Sequence, residues 1–344
     1  MTNVDVDRTE DTSAPTVDAN VLETSVISAE PERQGRSISN DEQLKGYAHF
    51  LDKLKHPSAA SIVDRVKHFV ARFPRELRRE QASERLHRFM SALEEELGKV
   101  EVFASSSEEE LLDAKEGLEK LLLKPLHQHF FRLDPNDRLL DEELSGKISR
   151  ISPLINLQTH LHGPSELTDD SILSLGIEEL GKMDAYRAPR DKMQCILNCF
   201  RVIRHALDTL IGPSRWGADQ LLPVCIYTII RANPPSLNSN VNFIASFRHS
   251  SRLRGEDEYL LMQMNIAIRD IMEIEEVLLK PVSDLSITDL WRMQKRLKKN
   301  LLRMVDDGNE ECENLLSREW RAGDLETFVQ TYREINDQFN RKYK

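Results

Sequence analysis

Residues 185–212 read AYRAPRDKMQCILNCFRVIRHALDTLIG. Pro189 stands just inside the start of a helical pattern and Gly212 just past its end. This is the asymmetry of a helix's two termini: proline has no N–H to lose in the first turn, and glycine accepts the left-handed turn beyond the last. The stretch predicts one long helix that opens a second helical unit. The same period holds on both flanks. In AASIVDRVKHFVARF (59–73), Ile62, Val63, Val66, Phe69 and Val70 recur at three and four and line one face, with Pro57 and Pro74 to either side. ERLHRFMSALEEEL (84–97) sets Leu86, Phe89, Met90 and Leu93 on one stripe. Ser107 and Glu110 form a capping box that opens EEELLDAKEGLEKLLL (108–123), and Pro125 is expected to close that helix. Further helices are expected near NSNVNFIASF (238–247), through GEDEYLLMQMNIAIRDIMEIEEVLL (255–279), over 286–306 behind caps at Ser286 and Asp289, and over 324–340. In the last of these Leu325, Phe328, Val329, Tyr332, Ile335 and Phe339 share a face. Strand-like alternation is nearly absent, so the expected class is all-α. No internal repeat of roughly 20 to 50 residues is evident, which weighs against a solenoid.

With 344 residues, 40% hydrophobic and 31% charged, the chain is long enough for two domains or for one large core with extensions. The first 46 residues contain no Phe, Tyr or Trp, and stretches such as TEDTSAPTVDAN and SAEPERQGRSISN are acidic and polar. Residues 1–40 are therefore expected to be a disordered acidic tail. A helical bundle is expected over 41–175, a layered helical domain over 176–275 and a helical extension over 276–344. The net charge of −11 disfavours a surface devoted to nucleic-acid phosphates. The N-terminal MTNVDVDRTEDTS lacks the basic and apolar regions of a secretory signal. No apolar run approaches the roughly 20 residues of a spanning helix, so a soluble, cytosolic protein is expected. Cys195, Cys199, Cys225 and Cys312 are too few and too apolar in context for a disulfide framework.

Signals for catalysis are weak. SGKIS (145–149) has the end of a phosphate-binding loop, but Asp141 replaces its first glycine and Ile148 follows the lysine where Ser or Thr is required. His127 with His129, and His160 with His162, are pairs whose spacing of two points them apart, and Cys195 with Cys199 lacks a second Cys/His pair nearby. No metal and no cofactor is expected. There is no G-x-S-x-G elbow, no H-E-x-x-H and no kinase motif set. Arg292, Lys295, Arg296, Lys298, Lys299 and Arg303 make one side of the 286–306 helix basic. Such a pattern is more often a solvated face, and an anionic membrane or an acidic partner is the alternative.

GADQLLPVCIYTIIRANPP (217–235) is more specific. Asp219 stands at the mouth of LLPVCIYTII (221–230), in which only Pro223 and Thr228 are not apolar. If the helix begins after Asp219, Pro223 falls in the first turn, where its missing N–H costs little, and Asp219 is the N-cap, worth about 1 kcal/mol. The other role is a charge held out for a partner. On spacing alone the cap is the role to expect.

Together APRDKMQCILNC (188–199), GADQLLPVCIYTIIRANPP (217–235) and SRLRGEDEY (251–259) resemble the catalytic domain of the vacuolar-protein-sorting-nine family, exchange factors for early-endosomal Rab GTPases of the Rab-five class. The likeness covers roughly 41–275, is strongest over 184–260 and looks closest to the plant-like members. It implies a helical bundle followed by a layered α-helical exchange domain, a Rab GTPase as partner, and no covalent chemistry. It also implies a cytoplasmic protein recruited to endosomal membranes, with peripheral association through other proteins. Asp219 then corresponds to an "aspartate finger" that pairs with the GTPase's P-loop lysine and displaces Mg²⁺. Pro223 follows it in the family's spacing, and Tyr259 corresponds to the tyrosine that contacts the switch regions. Pro223, Ile226, Ile230, Asn233 and Met262 fall on the two helices that border the family's GTPase-binding groove. Where most members carry Thr-Asn, this chain has Met262 and Gln263. A helical adaptor that binds a Rab without catalysing exchange is the alternative implied by that departure.

Overall fold

The computed structural model describes residues 40–213, 215–307, 310–318, 320 and 324–343. All but the last residue of the expected acidic tail lies outside them. The fold is all-α, with no strand among the described residues. Helices α1 (Asn40–Lys53), α2 (Ala60–Ala71), α3 (Arg79–Leu97), α4 (Glu101–Ala104), α5 (Glu108–Phe130) and α6 (Pro135–Ile151) come first. Next come α7 (Leu157–Leu161), α8 (Ser174–Gly181), α9 (Pro189–Leu210), α10 (Ala218–Ala232), α11 (Leu237–Phe247) and α12 (Glu256–Glu273). The chain continues with α13 (Glu276–Leu279), α14 (Ile287–Asp306), α15 (Glu310–Leu316) and α16 (Leu325–Tyr343).

Local signals explain most boundaries. Ser107 caps α5 by accepting from the Glu110 N–H at 3.1 Å while the Glu110 carboxylate accepts from the Ser107 N–H. Ser286 and Asp289 do the same for α14. Pro189 is the first residue of α9, and Gly212 beyond its end has φ 101°. Pro125 does not close α5, which runs five residues further to Phe130. The expected break fails because Leu121, Leu122, Leu126 and Phe130, on both sides of the proline, are fully buried; packing outweighs the one lost hydrogen bond. The helix expected through 255–279 is interrupted at Ile274 and Glu275, between α12 and α13.

Contacts divide the chain into two units interleaved in sequence, with boundaries inside α6, α8, α9 and α12. The first unit holds residues 1–141, 178–199 and 236–262. Its core gathers Phe50, Ile62, Val66, Leu86, Met90, Leu93, Leu118 and Leu122 with Phe243 and Phe247 of α11. Phe69 stacks on Phe89 at 3.8 Å between ring centroids, and Phe130 on Phe247 at 4.5 Å. The N-terminus of α11 is capped from outside the helix, since the Asp141 carboxylate accepts from the Ser239 N–H at 3.0 Å.

The second unit holds residues 142–177, 200–235 and 263–344. Within it α7 packs on α10, and α14, α15 and α16 pack together. Met293, Leu297, Leu301 and Met304 of α14 meet Phe328, Val329, Tyr332 and Ile335 of α16 in a separate apolar core. The expected shared face of the last helix is thus the face it buries.

Candidate functional site

The stripe of α10 that carries Asp219, Pro223, Ile226, Ile230 and Asn233 follows the three-and-four rule, so all five lie on one face. Its exposure falls along the helix: Asp219 is exposed, Pro223 half-buried, Ile226 is 6% and Ile230 1% exposed. The stripe thus runs from an exposed carboxylate at the helix start to the buried Ile226 and Ile230.

Asp219 is not the helix cap. The cap is Gly217, with extended backbone at φ −139°, which makes Asp219 the second helical residue. The capping bond comes from Gln220, whose Oε1 accepts from the Gly217 N–H at 2.7 Å. The Nε2 of the same side chain donates to Asp219 Oδ2 at 2.7 Å. Oδ1 makes no hydrogen bond among the described residues. A Cβ on Gly217 would stand 2.9 Å from Asp219 Oδ1, so the glycine leaves the space that the carboxylate occupies. With the cap at Gly217, Pro223 sits in the second turn rather than the first. It withholds the N–H that the Asp219 carbonyl would otherwise accept. Independently of the proline, the N–H groups and positive dipole of a helix start favour a carboxylate held there.

Neighbours fix this end of the helix. Trp216 Nε1 donates to Asp208 Oδ1 at 2.8 Å, tying the segment before α10 to the end of α9. Further along, Arg231 donates to the Tyr227 hydroxyl at 2.7 Å and lies over its ring at 4.8 Å, and Tyr227 donates to Asp170 Oδ2 at 3.0 Å. Burial pushes the Tyr227 hydroxyl pKa up. The Cys225 thiol, wholly buried, is pushed up to about 12 and is inert. At the far end Asn233 adopts the left-handed cap at φ 40° and its amide donates to Ser149 Oγ at 3.1 Å.

Tyr259 and Met262 stand together on α12, three residues apart and on one face, in the first unit. Tyr259 is half-buried and Met262 is 51% exposed. Gln263, the next residue, is buried. Gly255, at φ 61°, makes the turn into α12, and its carbonyl accepts from the Tyr259 N–H at 3.1 Å.

Sequence reasoning passed over what holds that turn. Arg248 reaches both oxygens of Glu116 at 3.0 Å and Glu119 at 3.2 Å. Arg252, inside the SRLRGEDEY motif, reaches Glu119 at 2.9 Å and Glu94 at 2.8 Å. The side chains of these five residues are all 11% exposed or less. Burial would raise the Glu116 carboxyl, but Arg248, with Arg190 and Arg252, outweighs it and holds the pKa below its ordinary value. Burial pushes the Asp257 carboxyl up, against the pull of Arg248. The only sequence signal was a pair of arginines beside a turn; their partners stand 129 to 158 residues earlier.

Of the remaining candidates, SGKIS lies within α6. No group of His, Cys, Asp and Glu among the described residues is arranged to hold a metal ion. No helix among them is long and apolar enough to cross a membrane.

The sequence profile of the Vacuolar sorting protein 9 (VPS9) domain matches residues 175–276, and that of a domain of unknown function, DUF5601, matches 65–127. Similar proteins include Vacuolar protein sorting-associated protein 9A of Oryza sativa subsp. japonica, 37% identical over 230 residues that cover 66% of this chain and 48% of the relative. The protein of the same name from Arabidopsis thaliana is 33% identical over 242 residues, 69% of this chain and 46% of the relative. GTPase-activating protein and VPS9 domain-containing protein 1 of Homo sapiens is 28% identical over 214 residues, 62% of this chain and 14% of the relative. The chain spans about half the length of the two plant relatives.

Proposed function

Residues 175–276 make this chain a member of the VPS9-domain family, and we propose from that premise that it is a guanine-nucleotide exchange factor for a small GTPase of the early-endosomal, Rab-five class, acting in endosomal and vacuolar vesicle traffic. The observation that carries the reading is an exposed Asp219 carboxylate at the second position of a helix whose later turns are buried. Asp219 enters the nucleotide site of the GDP-bound partner, pairs with its P-loop lysine and displaces Mg²⁺. A carboxylate there competes for the cations that hold the phosphates and repels the phosphates themselves, so nucleotide affinity falls. No covalent bond is made or broken.

Pro223 contacts the partner beside the finger, while Tyr259 and Met262 meet its switch regions. Ile226 and Ile230, buried in the free chain, act by mounting the helix, and Asn233 by fixing its far end. Gln220 releases Asp219 Oδ2 as the lysine arrives, exchanging one hydrogen bond for a charge-assisted one. Accelerating release about a thousandfold requires contacts about 4 kcal/mol better in the transition state than in the nucleotide-bound complex. Linkage makes the effect reciprocal, so entering GTP ejects the factor.

Release of a fluorescent GDP analogue from a panel of purified Rab GTPases tests this. The wild-type chain should accelerate release, and Asp219→Asn should lose most of it, on the order of a hundredfold or more, with an unchanged unfolding midpoint because the residue is exposed. Wild-type rates from Asp219→Asn would remove the finger assignment. One observation favours a second reading, an adaptor that binds without exchanging. Met262 is exposed where the family pattern carries a threonine, and a thioether cannot replace a hydroxyl's hydrogen bonds. An adaptor would bind the GTPase and leave release at its intrinsic rate.

A further inference from the structure

The buried side of α14 is accounted for by the core it shares with α16; its other side is open. On that side three apolar residues face solvent: Ile287 is 86% exposed, Trp291 59% and Leu302 44%. Their spacings of four and eleven residues are close to whole helical turns, so they form a ridge along the helix. Arg292, Lys295, Lys298 and Lys299 flank the ridge, all exposed and none in a salt bridge among the described residues. Lys295 Nζ lies 5.3 Å from the centre of the Trp291 ring. The other two cations of the helix are engaged, Arg296 with Glu275 at 2.8 Å and Arg303 over the Phe339 ring at 5.8 Å. Two carboxylates share the helix, and Asp289 is turned inward to Ser286 and Lys280. Six cations thus meet two carboxylates on one helix, a local charge of +4 in a chain of net charge −11.

We infer that this face is a membrane-binding surface, fitted to a bilayer that carries anionic lipid headgroups. Charge complementarity is the first argument: a chain of net charge −11 is repelled on average by an anionic bilayer, and this helix reverses the sign locally. The second is shape. The cations from Arg292 to Arg303 are strung over about 16 Å of helix rather than converging on one point, which suits a plane of distributed charge better than a single phosphate. The third is the mixture of side chains. An indole flanked by lysines belongs at headgroup level, Ile287 and Leu302 can sink beside it, and the lysine stems extend to keep their ammonium groups in water. A ridge of three separated apolar side chains is too narrow for the roughly 800 Å² per partner of a standard protein interface, whereas each one enters lipid independently.

Flotation of the full chain with vesicles tests this without any GTPase, so the result is independent of the exchange reading. The chain should float with vesicles of equal parts phosphatidylcholine and phosphatidylserine, not with phosphatidylcholine alone, and should be released by high salt. The combined variant Lys295→Ala, Lys298→Ala, Lys299→Ala should lose on the order of a hundredfold in partition coefficient, with unchanged circular dichroism. Trp291→Ser, a single exposed change, should lose about tenfold, and wild-type tryptophan emission should shift to the blue on binding. Equal partition into the two vesicle types, or unaltered binding by both variants, overturns the inference. Capture by a polyglutamate peptide with no binding to either vesicle also overturns it, assigning the face to an acidic protein instead.

Discussion

At Asp219 the decisive fact is which residue does the capping. Because Gln220 closes the Gly217 N–H, the carboxylate is spared that duty and keeps one oxygen free. Residue types alone favour Asp219 as the cap, since Asp is a strong capping residue and Gly217 carries no side chain to signal its role. The space that glycine leaves beside Oδ1 appears only when the backbone is built. His127 shows the same dependence on surroundings. It reads in sequence as half of a His pair, yet its ring stacks on Phe131 at 4.8 Å and its Nε2 is buried without a hydrogen-bond partner among the described residues. Burial, then Lys192 and Arg187, lowers its pKa to about 4, with Asp184 opposing. The folded chain therefore holds His127 neutral where the unfolded chain, at about 6.5, begins to protonate. Stability from this group is fully present above pH 6.5 and is lost as pH falls toward about 4, by at most about 3 kcal/mol. Urea unfolding followed across that range should show the loss, and His127→Phe should flatten this part of the profile. An unchanged slope would mean that the imidazole is as solvated in the folded state as in the unfolded.

Elements were legible where their ends carry local chemistry. The Ser107 and Ser286 capping boxes, Pro189 at the head of α9 and Gly212 beyond it all act within a few residues, and each marks the boundary that it predicted. Pro125 misled because tertiary burial on both sides of it decides the matter, and that burial is invisible to a local pattern. The turn into α12 was half legible: SRLRGEDEY marked the element, but its anchor is an ion cluster assembled from α3, α5 and the segment after α11. Such a cluster is costly to break from one side. Arg248→Met leaves Glu116 and Glu119 buried with fewer compensating charges, and should destabilise the chain by about 3 to 5 kcal/mol. A chemical-denaturation midpoint measures the loss, and adding Glu116→Gln should recover part of it because one stranded charge is removed. If Arg248→Met alone leaves the midpoint in place, the cluster does not hold the turn. The consequence for function is positional, since Tyr259 begins four residues after the glycine that this cluster steadies.

Across the whole chain the two proposed activities occupy different segments. The candidate exchange residues run from Asp219 to Met262, and the basic ridge lies on α14 with its own core beneath it. Lys295, Lys298 and Lys299 are exposed and lie outside the segment that carries the candidate exchange residues, so changing them should leave exchange in solution within about twofold of wild type. The outcome should differ when the GTPase is tethered to anionic vesicles by a nickel-chelating lipid. There the wild-type chain is concentrated on the same surface as its substrate, and confinement raises the encounter rate by the effective concentration alone, with no new contact to the GTPase. The triple lysine variant should lose that gain, about tenfold at protein concentrations below saturation of the vesicles, and high salt should reduce the wild type to the variant's rate. Both chains should exchange alike on neutral vesicles. A variant that is slow in solution as well would mean that α14 supports the exchange site directly, and equal rates for both chains on anionic vesicles would mean that membrane binding adds nothing to exchange.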